Sequence, residues 1–158
     1  MKILDSGKPH REFISGAVRD VAEGKGRCDL LPLDILGTVL NDDTFYKINE
    51  YVRTGNTIPL FNVIYDFSKE HFGNINTATL EVAKQYEEGA NKYAERNWEK
   101  GIPLHCYIDS GVRHYLKFRR GDNDEPHDRA FLWNMLGALW THANKPEMID
   151  LPFKEGKQ

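Results

Sequence analysis

From Leu30 onward the apolar residues of this chain recur at spacings of three and four, the period of helices with one buried face. Leu33, Leu36, Val39 and Leu40 predict a first helix, with Pro32 tolerated in its opening turn. Asp42 or Asp43 is placed to cap a second, carrying Phe45, Ile48, Tyr51 and Val52 and ended by Gly55 and Asn56. A third runs over 59–72 with Phe61, Ile64, Tyr65 and Phe67, closed by Gly73. Thr77 or Thr79 then precedes Leu80, Val82, Ala83, Tyr86, Ala90 and Tyr93, a helix expected to break near Gly101 and Pro103. Residues 104–120 follow, with Tyr107, Ile108, Gly111, Val112, Tyr115, Leu116 and Phe118, stopped by Gly121. Asp122, Asn123 and Asp124 offer caps for a last helix over 125–143, with Pro126 in its first turn.

That last helix is apolar almost all round. Phe131, Leu132, Trp133, Met135, Leu136, Ala138, Leu139 and Trp140 cannot share one stripe, so it belongs at the centre of a bundle or in a subunit interface. A homo-oligomer joined near Phe131 to Trp140 is therefore expected. Residues 1–29 have no regular apolar period and read as an extended or looping arm whose order depends on a ligand or a neighbouring subunit. No repeat and no strand pattern stands out. The expected fold is all-α: one domain over 1–158, with a polar arm (1–29), a helical bundle (30–144) and a tail (145–158).

Length and charge narrow the function. At 158 residues the chain suffices for one domain with a real core. The 21 basic and 24 acidic residues give a net charge of −3, which argues against non-specific nucleic-acid binding and leaves any basic function local. Cys28 and Cys106 lie in no disulfide or zinc spacing. No apolar run approaches the ~18 residues of a membrane span. The expected setting is soluble and cytoplasmic, without a membrane partner.

Against this background two polar stretches stand out, 16–32 (GAVRDVAEGKGRCDLLP) and 86–103 (YEEGANKYAERNWEKGIP). The first packs Arg19, Asp20, Glu23, Lys25, Arg27 and Asp29 around Gly24 and Gly26. Glycine permits close backbone approach, and the cations suit an anion such as phosphate. In the second, Glu88 and Lys92 read as a surface ion pair, whereas Glu87 lies beside Tyr86, Ala90 and Tyr93 at the expected buried edge. Asn97 and Trp98 follow in a polar segment where a base could stack on the indole. On the next helix Asp109 and Arg113 either pair with each other or face phosphate together. His114 alone reads as a satisfied residue, and Lys117, Arg119 and Arg120 as a solvated face. On the last helix His127, Ala130 and Asn134 share a face, and Asn134 needs hydrogen-bond partners, since an unpaired buried amide costs about 1–3 kcal/mol.

The blocks GAVRDVAEGKGRCDLLP, YEEGANKYAERNWEKGIPLHCYIDSGVRHY and GDNDEPHDRAFLWN, in that order, resemble the phage dATP/dGTP diphosphohydrolase N-terminal domain family over most of 12–40 and 80–142. By that resemblance, Asn41 to Asn76 looks like an insertion. The resemblance implies a phage protein in the host cytoplasm that converts purine dNTP to dNMP and pyrophosphate. Such chemistry needs carboxylates holding Mg²⁺ or Mn²⁺ against the phosphates. The distantly similar MazG-like all-α pyrophosphatases use an E-E-x-x-E helix facing E-x-x-D. Here Glu87 and Glu88 are followed by Asn91, and Phe131 and Asn134 occupy the E-x-x-D spacing.

The expected assignment is therefore Glu87 and Asp109 as catalytic residues, and Glu87, Asp109 and Asp128 for the metal, with Asp20, Glu23 and Asp29 as further acids. Arg19, Lys25, Gly26, Arg27, Lys92, Asn97, Trp98, Arg113, His127 and Asn134 form the expected substrate-binding set. The alternative is a non-catalytic binder, without a metal, that sequesters a nucleotide-derived host-defence signal.

Overall fold

The computed structural model describes residues 2–3 and 9–155. It is mostly helical, and the all-α expectation is correct: α1 (Leu33–Val39), α2 (Thr44–Thr54), α3 (Ile58–Phe72), α4 (Ile75–Lys92), α5 (Leu104–Arg120) and α6 (His127–Asn144) form the bundle. Ahead of it the arm folds into a small antiparallel sheet of β1 (Lys2–Ile3), β2 (Pro9–Glu12) and β3 (Val18–Asp20), in that order. The arm was expected to be irregular, and two-to-four-residue strands are too short to leave an alternating pattern.

α6 lies at the centre, packed by α5 most extensively and also by α4 and α3. Three neighbours explain its all-round apolar character: Phe131, Leu132, Met135 and Ala138 are fully buried within this one chain. In the stretch expected to form a subunit contact, Phe131–Trp140, Trp133, Leu136 and Trp140 are half-buried, and the other residues are buried within the chain. Exposed apolar side chains lie instead on α1 (Ile35, Val39), α3 (Ile58, Phe61, Tyr65) and α4 (Leu80). Small residues let α5 and α6 approach closely. A methyl group on Gly137 would sit 2.3 Å from the Tyr107 ring, and one on Gly111 would sit 2.5 Å from Met135 Cε.

The segment 41–76 builds α2 and α3 into the same core, with Phe45, Ile48, Tyr51, Leu60 and Val63 buried. The tail returns to this region: Phe153 lies 5.6 Å from the Tyr51 ring, and Tyr51 Oη pairs with His142 Nδ1 at 2.9 Å. Three residues earlier in the tail, Asp150 accepts from the His105 amide at 2.9 Å and pairs with its Nδ1 at 2.5 Å.

Helix ends differ from expectation where tertiary contacts compete. α4 begins at Ile75 because Asn74 caps it, its side chain accepting from the Thr77 amide at 2.8 Å. It stops at Lys92, well before the break expected near Gly101 and Pro103, and Arg96 then adopts a left-handed φ of 57°. α6 starts at His127 without a side-chain cap, because Asp122 is held by Arg120 and Asp124 by His127.

Candidate functional site

The arm closes over the bundle along the α4–α5–α6 side. Contacts with the rest of the chain hold its described residues there. Asn97, in the turn after α4, is buried and clasps β3 like a strand partner: Val18 N donates to Asn97 Oδ1 at 2.8 Å, and Asn97 Nδ2 donates to Val18 O at 2.9 Å. The Phe13–Ala17 turn is pinned where the Ser15 hydroxyl donates to Gly101 O. Farther along, the Cys28 amide donates to Asp109 Oδ1 at 2.7 Å, and Arg113 Nη2 donates both to Gly26 O and to Asp109 Oδ1, each at 2.6 Å.

Between arm and bundle lies a cleft of about 360 Å³. Arg11, Arg19, Lys25, Arg113 and Lys117 line it, over a wall of Tyr86, Tyr93, Trp98 and Trp133. Of the carboxylates there, Asp20 is engaged by Lys92 (2.9 and 3.0 Å) and by the Tyr93 hydroxyl (2.7 Å), and Glu88 by Arg129. Burial raises the Asp20 carboxyl, but the bonds from Lys92 and Tyr93 outweigh it and hold the group below the usual carboxylate range. Cationic charge is left in surplus.

The arginines show the imbalance most directly. In the β2–β3 register Arg11 stands opposite Arg19, a like-charge cross-strand pair that is unfavourable by itself. Arg19 lies 5.5 Å from the centres of both the Tyr107 and Trp133 rings, and its Nη2 donates to Asn134 Oδ1 at 3.2 Å. Burial, with Arg11 acting the same way and Tyr107 opposing, holds the Arg19 guanidinium below its ordinary value. Arg11 Nε, Arg19 Nη1 and Arg113 Nε are buried with no hydrogen-bond partner among the described residues. Native structures rarely bury such donors without an acceptor.

Of the residues expected to bind substrate, Arg19, Lys25, Lys92, Asn97, Trp98, Arg113 and Asn134 do line this cleft. Asn134 has found partners, accepting from Arg19 and donating to Ala130 O at 2.8 Å. Lys92 pairs with Asp20 in place of the expected Glu88. Trp98 packs on Tyr86 and Trp140, at 5.6 and 4.9 Å between ring centres. Gly26, Arg27 and His127 are not among the lining residues: Gly26 serves through its carbonyl, Arg27 is forked onto Asp29 (2.8 and 2.7 Å), and His127 lies beneath, 2% exposed.

The carboxylates expected to hold Mg²⁺ or Mn²⁺ do not come together. Glu87 is exposed and off the cleft, contrary to its expected buried edge. Asp109 is 2% exposed and occupied with Cys28 and Arg113, while Asp128 pairs with His71 Nε2 at 2.9 Å. Among the described residues, ligating atoms cluster instead in two groups, His114 with Glu125 and His127, and Asp122 with Asp124 and His127. The three carboxylates therefore do not fit a shared cation.

Sequence reading missed Arg11 and undervalued His114, Lys117 and Glu125, which all line the cleft. Arg11 becomes legible only once the two strands flanking the Phe13–Ala17 turn are paired.

Fold and cleft together define an all-α protein with a cationic, aromatic-walled pocket. The chain belongs to the dATP/dGTP diphosphohydrolase N-terminal family, whose model matches residues 67–151. The match takes in the second and third motif blocks, and the block at 16–32 precedes it. No curated protein and no solved structure matches the chain. Among the described residues no helix is long and apolar enough to cross a membrane.

Proposed function

We propose that the cleft binds a purine deoxynucleoside triphosphate through its phosphates, and that the chain acts on it as a diphosphohydrolase, giving dNMP and pyrophosphate. The observation that carries the binding is the convergence of Arg11, Arg19 and Arg113 on one cleft, each with a guanidinium nitrogen that has no partner among the described residues. Phosphate oxygens suit the guanidinium groups that line this cleft and offset the Arg11–Arg19 repulsion. Tyr86, Trp98 and Trp133 offer ring faces and edges suited to a base. The reaction rests on the family's description.

A second reading, a binder that retains its nucleotide unchanged, is favoured by the dispersal of Glu87, Asp109 and Asp128. One experiment separates the two. Purified chain is incubated with dGTP or dATP and a divalent ion, and pyrophosphate release is followed. Release above a boiled control supports the hydrolase. Stoichiometric retention of intact nucleotide in EDTA, without release, supports the binder. Absence of both overturns the nucleotide reading.

A further inference from the structure

Beside the cleft, where α5 meets the start of α6, two imidazoles face each other through the same kind of atom. His114 Nδ1 and His127 Nδ1 are 2.9 Å apart, and Glu125 Oε1 lies 3.9 Å from His114 Nδ1. Donor atoms of the three residues all fall within 4.8 Å of one another. The far nitrogen of His127 is fixed: its Nε2 pairs with Asp124 Oδ1 at 2.7 Å. An ionised carboxylate only accepts, so Nε2 carries the proton, and a neutral His127 presents Nδ1 as a lone pair toward His114.

Two nitrogens so placed must share either a proton or a cation. Ligand bonds of ~2.0–2.1 Å at a tetrahedral angle set nitrogens roughly 3.3 Å apart, a few tenths of an ångström from the observed spacing. A carboxylate on the outer nitrogen of a ligating histidine is the usual support for a metal site.

We infer that His114, His127 and Glu125 form a site for one first-row divalent ion of the zinc type, with Asp124 orienting His127 and the remaining coordination position opening on the cleft. Two imidazoles and one carboxylate are the donor set of an open, three-ligand zinc centre. Imidazole nitrogen favours zinc or cobalt over Mg²⁺, which takes oxygen ligands. Glu125 supplies negative charge in the cleft that it shares with Lys117 and Arg113. His114 and Glu125 both line the cleft, so a bound ion would adjoin its contents.

The test needs no nucleotide, so its outcome is independent of the proposed substrate. Metal-free full-length chain is titrated with Co²⁺, and the visible bands of four- or five-coordinate cobalt are read, followed by displacement with Zn²⁺. The inference expects one equivalent bound. It also expects at least a tenfold weakening in Glu125→Gln and His114→Gln, and a 10- to 100-fold weakening in Asp124→Asn. Glu125 and Asp124 are exposed, so those variants report on binding even if a histidine variant misfolds, and melting curves check each fold. No cobalt spectrum, or equal affinity in the wild type and in Glu125→Gln and Asp124→Asn, overturns the site and leaves a proton shared between the rings.

Discussion

Arg11 and Arg19 stand opposite each other across β2 and β3, a like-charge pairing that costs the fold some stability. Arg11→Ala should therefore leave the melting temperature of ligand-free protein unchanged or slightly higher. It should weaken dGTP binding about 10- to 100-fold, since a charge-assisted hydrogen bond contributes about 1.5–3 kcal/mol. Calorimetry with paired melting curves checks both halves. Asn97 is the opposite kind of residue, spending both ends of its amide on Val18. Asn97→Ala should cost about 1–3 kcal/mol and loosen the arm, seen as faster amide exchange at residues 10–20.

His105 gives the residue scale a pH dependence. Its bonds to Asp150 and Cys106 raise its pKa to about 10, against burial, from an unfolded value of 6.5. A raised folded value means the native state binds the proton more tightly, so the contribution is full below pH 6.5 and is lost as pH rises toward 10. Melting curves from pH 6 to 10 should decline more steeply for wild type than for His105→Gln. Both partners are partly exposed, so the difference should be small and should shrink with added salt.

At the scale of elements, the bundle depends on close α5–α6 packing. Gly137→Ala would drive a methyl group into Tyr107, which belongs to the cleft-side aromatic cluster beneath Arg19. The gain in helix propensity, up to about 1 kcal/mol, is outweighed by overpacking of about 1–3 kcal/mol. Thermal melts should show a fall of a few degrees. The elements were legible where periodicity and end signals agreed: α5 over 104–120, and α2 with Phe45, Ile48, Tyr51 and Val52 all buried. On α3 the period was right but the face was partly wrong, since Phe61 and Tyr65 are exposed while Leu60 and Val63 turn inward. Two aromatic residues outweighed their neighbours in the sequence, but burial follows the direction of the neighbouring helices. The end of α4 was illegible because Asn97 answers to Val18, 79 residues away.

At the scale of the whole molecule, a chain of net charge −3 concentrates its cations where arm and bundle meet. In the sequence the 16–32 block reads as a polar ligand segment. It could not show which cations converge, because Arg27 is drawn off by Asp29 while Arg11 is brought in by strand pairing. Glu87 and Asp109 failed as a pair for a similar reason. One carboxylate faces outward, and the other is consumed in holding Cys28 and Arg113. The central claim is that the arm's arginines and the bundle together hold a nucleotide's phosphates. Titration of the full chain with dGTP in EDTA, at low and at high salt, tests it most directly. The account predicts one-to-one binding that weakens with salt and is reduced at least tenfold by Arg11→Ala, whereas no detectable binding, or equal affinity in that variant, would contradict it.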